Sequence, residues 1–244
     1  MHRLILWNID LTLVDVARVS RDAYAEAFRL VTGRPLVALP QLAGASDSEI
    51  FFESLALNEA APGAGPWPGG GLSAHAEAND LLARYAAALA EAFGARSDRL
   101  ASQGRALAGA REALAAVSRL PGVIQTVLTG AIRQNAEQKL HAFGLDPFLD
   151  LGIGGYGSEV YPKGTQILRS LAMATEKYGV SLSPAGAVYV ADSVRDVAAA
   201  RVAGARCLGV ATGRSTVSEL RDAGADPILA DLSDTSRVVA AITR

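Results

Sequence analysis

Apolar and polar positions follow two rhythms along this chain. Leu4–Ile9 is an almost continuous apolar run bounded by polar residues, and Ile124–Leu128, Ala187–Val190 and Cys207–Val210 resemble it, with Ile228–Ala230 a shorter version. Short apolar runs of this kind mark strands buried on both faces. Between them the apolar residues recur at helical spacing. Ala131–Phe143 puts Ile132, Ala136, Leu140 and Phe143 on one stripe and stops at Gly144. Thr165–Tyr178 carries Ile167, Leu168, Leu171 and Met173 and stops at Gly179, while Ser193–Ala203 and Thr216–Ala223 stop at Gly204 and Gly224. Glycine just past a helical stripe is the usual stop signal. Strands alternating with helices of this length predict an α/β fold with a doubly wound parallel sheet.

One stretch breaks the rhythm. From about Val16 to Ser102 the pattern is helical throughout. Val19–Val31 is amphipathic and ends at Gly33-Arg34-Pro35, Ser48–Leu57 follows with Ser46 or Asp47 as its N-cap, and Leu72–Phe93 is a long alanine-rich helix or a pair. The Pro- and Gly-dense segment from Pro62 to Gly71, with Trp67 inside it, reads as a surface loop. Ala106–Arg119 returns to the core ahead of the second strand. The chain is therefore expected to form a core from residues 1–15 and 103–244 and an inserted helical domain from residues 16–102. Hinges are expected around Val14–Val16 and Ser97–Gly104.

Composition narrows the classes. The 244 residues are 50% apolar, enough for a sizeable core, and the net charge of -2 leaves no basic footprint for nucleic acid. No stretch approaches the roughly 20 apolar residues of a membrane span. Met1-His2-Arg3 precedes an apolar run too short for a signal peptide. A cytoplasmic protein is expected. The lone Cys207, at the start of a strand, reads as a core thiol. Lysine is scarce: Lys139, Lys163 and Lys177 are all there are. That limits where a lysine-dependent chemistry can sit.

The polar residues that end the strands carry the candidate chemistry. Asn8 and Asp10 close the first strand, with Thr12 placed to fix the turn. Two acidic groups at that spacing would supply a nucleophile and metal ligand, and a general acid then base. Thr129 and Gly130 close the second strand, where a hydroxyl and backbone N–H groups suit a phosphate oxygen. Tyr161-Pro162-Lys163-Gly164 stands at the entry to a helix, so Lys163 can offset charge in a site. Asp192 stands at a strand tip, fit for a hard cation, and Asp196 lies one turn later, fit for a metal-bound water or for orienting the lysine. Alone, each has a plain structural explanation as a turn, cap or solvated residue. Together they share one location, the carboxyl end of the strands, where open α/β sheets bind ligands.

These motifs resemble those of the haloacid dehalogenase superfamily, in particular its phosphoglycolate phosphatase-like members with a helical cap. The resemblance spans nearly the whole chain. Asn8-Ile9-Asp10-Leu11-Thr12 matches a strand ending D-x-D-x-T, Thr129 matches the second motif, Lys163 the third, and Ala191-Asp192-Ser193-Val194-Arg195-Asp196 a fourth, G-D-x-x-x-D. Ala43-Gly44-Ala45-Ser46-Asp47 resembles the cap loop that faces substrate, which makes Ser46 and Asp47 candidate specificity residues. The resemblance implies hydrolysis of a small phosphorylated metabolite by a monomer or homodimer. Mg²⁺ would be held by slot 8, the Asp10 carbonyl and Asp192, with Asp196 nearby. Thr129, Gly130 and Lys163 would bind the phosphoryl oxygens.

Three positions depart from the pattern. Leu11 and Ala191 replace glycines, with only local effects expected. Asn8 replaces the nucleophile, and an amide is a poor one. The expected result is a chain that binds phosphate esters and turns over little, with Asn8 touching Mg²⁺ only through its neutral oxygen. Either the nucleophile has been substituted, which traps substrate, or the protein is a binding or regulatory relative. The first is favoured because every other catalytic slot is filled. A phosphonate hydrolase would need a cap lysine, and none precedes Lys139. A dehalogenase would need no metal, which the Asp192/Asp196 pair argues against. A sugar-phosphate mutase would need a cap group such as Arg18, Arg21 or His75.

Overall fold

The computed structural model describes residues 2–59, 72–157 and 162–244. The loop expected from Pro62 to Gly71, Trp67 within it, and Tyr161 lie outside the described residues. Five strands, β1 (Arg3–Trp7), β4 (Val123–Val127), β5 (Ala187–Ala191), β6 (Arg206–Val210) and β7 (Ile228–Leu229), form one sheet in the order β4-β1-β5-β6-β7. Every pairing in it is parallel. The expected strands are all present, displaced at their ends by a residue or so.

Parallel pairing buries both faces, and the side chains of β1 show it. Ile5 and Trp7 point to one face and Leu4 and Leu6 to the other, all fully buried, as the two-residue period of a strand requires. On the first face they meet α5 (Ala110–Val117), α6 (Arg133–Ala142) and α10 (Thr235–Thr243). On the second they meet α7 (Lys163–Tyr178) and α8 (Val194–Ala203). α9 (Val217–Ala223) opens with a capping box between Thr216 and Glu219. Cys207 is buried, as expected of a core thiol.

Trp7 pairs with Val127 on one side and Val190 on the other, so β1, β4 and β5 end level. The residues just beyond them, Asn8, Thr129 and Asp192, therefore share one rim. The chain order reverses at β1, which makes this rim the crevice where doubly wound sheets take ligands.

The helical insertion leaves and returns through a short ladder. β2 (Val14–Asp15) pairs antiparallel with β3 (Arg105–Ala106), and Arg105 donates to Asp15 at 2.9 Å. The expected first hinge is thus paired to the returning strand. The expected second hinge is α4 (Ser97–Gln103), a helix that packs against α6 and α1 (Ala17–Thr32). α2 (Asp47–Glu59) and α3 (Leu72–Gly94) complete the insertion, the latter as one helix rather than a pair. Phe51 of α2 stacks on Tyr85 of α3 at 4.1 Å between ring centroids, and both rings are buried. Tyr24, Phe28, Leu89 and Phe93 join them in a cluster continuous with Ile5, Trp7 and Ile9 of the sheet. Among the described residues, no helix is long and apolar enough to cross a membrane.

The exit from β1 is strained. Leu11 has φ 60°, the left-handed region that glycine adopts freely. Its N–H donates to the Val14 carbonyl at 2.8 Å, and its carbonyl accepts from Thr212 Oγ1 at 2.6 Å. The leucine therefore changes more than the local packing expected from the sequence.

Two variants test this architecture. Leu11→Gly should raise unfolding free energy by about 0.5 kcal/mol, since left-handed backbone costs an L-residue about 1–2 kcal/mol and glycine returns much of that as unfolded-chain entropy. A lower urea midpoint would show that the leucine side chain outweighs the strain. Phe51→Ala should cost about 3–5 kcal/mol, the usual loss for a deleted core aromatic, read by urea unfolding followed by circular dichroism.

Candidate active site

The rim above β1, β4 and β5 is the floor of a cavity whose roof is the insertion. Asn8, Asp10, Thr129, Gly130, Lys163 and Asp192 all line it. Every residue proposed from sequence for catalysis or phosphate binding is therefore brought to one place.

Asp192 is the centre. It is buried, and its Oδ1 accepts from Thr12 Oγ1 at 2.8 Å and from Asn8 Nδ2 at 2.8 Å. Burial, then the Asp196 charge, push its carboxyl up to about 6, against the pull of the Thr12 and Asn8 hydrogen bonds. Gly213 lies against its other oxygen: a Cβ there would stand 1.8 Å from Oδ2.

Asn8 Nδ2 also donates to the Asp10 carbonyl at 2.9 Å and lies 3.3 Å from Thr12 Oγ1. With its NH₂ on this side the amide makes hydrogen bonds to both, since a carboxylate and a backbone carbonyl are acceptors only.

Asp196 is fully buried and bound on several sides. Lys163 Nζ donates to Oδ1 at 2.6 Å, the Tyr189 hydroxyl lies 2.9 Å from the same oxygen, and Ser193 Oγ donates to Oδ2 at 2.6 Å. Of the two tasks expected of Asp196, orienting the lysine is the one that this geometry serves. Lys163 is the first residue of α7, after Pro162. Ser193 rather than Asp192 caps α8.

Asp10 has a partner that the sequence motifs did not include. Lys139 Nζ donates to Oδ1 at 2.8 Å and to Oδ2 at 2.7 Å. Lys139 is buried against the Phe93 ring, 5.5 Å from its centroid. The signal was present: Lys139 lies on the same helical stripe as Ile132, Ala136 and Phe143.

Thr129 is buried, and its Oγ1 accepts from the Ala131 N–H at 3.2 Å. It does not cap α6, whose N-cap is Ile132.

The cap-loop residues expected to select substrate are both hydrogen-bonded within the fold, and Asp47 also lines the cavity. Ser46 caps α2: its N–H donates to Glu49 Oε2 at 2.7 Å and its Oγ accepts from the Glu49 N–H at 3.3 Å. Asp47 is buried, with Oδ1 accepting from the Tyr24 hydroxyl and Oδ2 from the Ile132 N–H, each at 2.7 Å. Burial raises its carboxyl above the usual carboxylate range. Its N–H donates to the Gly130 carbonyl at 2.7 Å. Gly130 must be glycine here, because a Cβ would meet the Ala45 carbonyl oxygen at 2.1 Å. Other insertion residues line the cavity: Ser20, Arg21, Tyr24, Leu42 and Ile50, with Arg214 opposite.

Whether these residues suit a divalent cation is a question of donors. Beside the Asp10 carbonyl and Asp192 Oδ1, the oxygens that would hold an ion with slot 8, stands the Asn8 NH₂, which donates and in this orientation cannot ligate. Asp196, the fourth expected member, is engaged by Lys163. Among the described residues, no group of three or more His, Cys, Asp or Glu side chains gathers to hold a metal. With this amide in place the residues do not fit the ion.

Comparison with known proteins gives the family. The model of the haloacid dehalogenase-like hydrolases matches residues 5–201. Among curated proteins no relative matches. Among solved structures, a predicted phosphatase from Clostridium acetobutylicum superposes with TM-score 0.68 at 18% identity, covering 98% of this chain and 99% of that one. A hydrolase from Pseudomonas syringae gives 0.64 at 21% identity, with 98% of each chain covered. A predicted phosphoglycolate phosphatase from Haemophilus somnus gives 0.60 at 20%, again with 98% of each covered. At these identities the structures speak for the fold alone; the family model covers most of the sequence, and its span contains the Asn8, Asp10, Thr129, Lys163 and Asp192 rim. The chain belongs to the haloacid dehalogenase-like hydrolases.

Proposed function

We propose that this protein binds a small phosphorylated metabolite in a phosphatase-type site and, with an amide in the nucleophile slot, turns it over very slowly. The observation that carries this reading is the convergence of Asn8, Asp10, Thr129, Lys163 and Asp192 on one cavity. Thr129, Gly130 and Lys163 receive the phosphoryl oxygens. Asp10, held on both oxygens by Lys139, stands beside the leaving group. Lys139 is a positioning residue in this scheme, and so are Asp196, which holds Lys163, and Tyr189, whose hydroxyl holds Asp196.

The chemistry of the site is phosphomonoester hydrolysis. A carboxylate in slot 8 attacks phosphorus and displaces the alkoxide, which takes a proton from Asp10 once that group is protonated and released from its ion pair with Lys139. Water then gives a proton back to Asp10 and cleaves the acyl phosphate, releasing phosphate and restoring the carboxylate. Asn8 cannot perform the first step, because its amide nitrogen lone pair is delocalised and its oxygen is neutral. The insertion over the site acts as a cap that excludes water during attack.

A second reading rests on the same amide: a relative that binds a phosphorylated ligand as a signal and has no turnover to recover. One variant separates the two. Loss of a nucleophile from a catalytic unit costs about 10⁶-fold, so Asn8→Asp with Mg²⁺ should raise phosphomonoesterase activity by at least about 10³-fold over the parent chain. The measurement is phosphate release across a panel of phosphomonoesters, with calorimetry on the same ligands. Binding without hydrolysis in the Asn8→Asp chain would establish the second reading. Isomerised sugar phosphate in place of free phosphate would establish a mutase.

A further inference from the structure

We infer that the Asn8 side-chain amide replaces the divalent cation in this chain, so that the site is assembled and takes its oxyanion ligand without a metal ion. The inference deepens the phosphoester reading and rests on it for the identity of the ligand.

The carboxylates of the site are not all matched by cations. Asp10 is paired with Lys139, and Asp196 with Lys163. Asp192 remains, a buried carboxylate whose hydrogen bonds come from Thr12 and Asn8 and not from an ammonium or guanidinium. A buried carboxylate needs compensation. Here it comes from dipoles: the Thr12 hydroxyl and the Asn8 NH₂, each 2.8 Å from Oδ1. The second hydrogen of the same NH₂ satisfies the Asp10 carbonyl at 2.9 Å. One nitrogen thus bridges the two oxygens that an ion would otherwise bridge. It supplies partial positive charge to both.

The alternatives at slot 8 are set by this geometry. Aspartate there would bring a carboxylate oxygen within hydrogen-bond distance of Asp192 Oδ1 with no proton between them. Two charged carboxylates so placed need a cation between them, and without one the pair must hold a proton. Aspartate and cation therefore belong together, and asparagine takes over the role of the ion. Turning the amide to offer its oxygen would place that oxygen against two acceptors and sacrifice both hydrogen bonds, so an arriving ion must first break the bridge.

The test uses the full chain and Mn²⁺ as probe, with free Mn²⁺ followed by electron paramagnetic resonance. The parent chain should show no saturable uptake, and Asn8→Asp should bind one Mn²⁺ per chain at least about tenfold more tightly, as the added ligand charge requires. Uptake by the parent within tenfold of the variant overturns the inference; so does a variant that takes up none, since removing the amide should open the point. A second readout needs no variant. The Asn8 side-chain NH₂ resonances of the parent should keep their positions and widths as Mn²⁺ is added, and broadening at substoichiometric Mn²⁺ overturns the inference. Inorganic phosphate binding, measured by calorimetry, should be unchanged by a chelator in the parent and abolished by it in Asn8→Asp. If neither protein binds phosphate, the phosphoester reading fails, while the Mn²⁺ titration still decides the amide.

Discussion

A carboxylate taken out of water must be answered, and much of this site is arranged around that demand. Asp192 and Asp196 are both buried at the end of the sheet, one turn apart. Asp196 is answered by an ammonium, Lys163, and Asp192 by hydroxyl and amide dipoles. The groups that answer come from distant stretches of chain: Thr12 and Asn8 lie just past β1, Lys163 opens α7, and Tyr189 stands within β5. The level ends of β1, β4 and β5 make that meeting possible, because a parallel register puts the first residues beyond each strand on one rim.

Much of this was legible in the sequence. Strands ending in polar clusters, and helices closed by glycine, are local signals, and the fold obeys them. Asn8, Asp10, Thr129, Lys163 and Asp192 could be named because each sits where a strand stops or a helix starts. The hidden part depends on tertiary pairing. Lys139 lies on an apolar stripe, yet only the folded chain shows that Asp10 awaits it and that Phe93 covers it. The loop position of Asp47 suggests a residue facing substrate; its contacts with Tyr24 and Ile132 arise from elements far apart in sequence. Leu11 is visible as an exception to a glycine pattern, but the left-handed backbone behind it belongs to the turn. Two of the three lysines of the chain enter the site, so their scarcity was informative.

The insertion is tied by hydrogen bonds to the loop that follows β4. The Asp47 N–H and carboxylate engage the Gly130 carbonyl and the Ile132 N–H. That loop begins at Thr129 and leads into α6, which carries Lys139 to Asp10. The cap loop, the threonine hydroxyl and the Asp10 counter-ion are thus mechanically linked. Gly130 allows the approach, since any side chain there would strike the Ala45 carbonyl. A burial-raised carboxyl at Asp47 is tolerated because two donors face it, and the tyrosine among them comes from α1 of the insertion itself.

Slot 8 separates two properties that a phosphatase site needs together. Binding an oxyanion requires positioned donors and a favourable field, which the proposed reading assigns to Thr129, Gly130 and Lys163. Turnover requires a charged nucleophile, and a charged nucleophile beside Asp192 requires a cation. An amide removes both needs with one atom: the nitrogen that replaces a carboxylate oxygen carries the hydrogens that hold Asp192 and the Asp10 carbonyl. Loss of the nucleophile thus need not loosen the site. On the proposed reading, the amide that cannot attack also bridges Asp192 and the Asp10 carbonyl, so the ligand-binding geometry survives loss of the nucleophile.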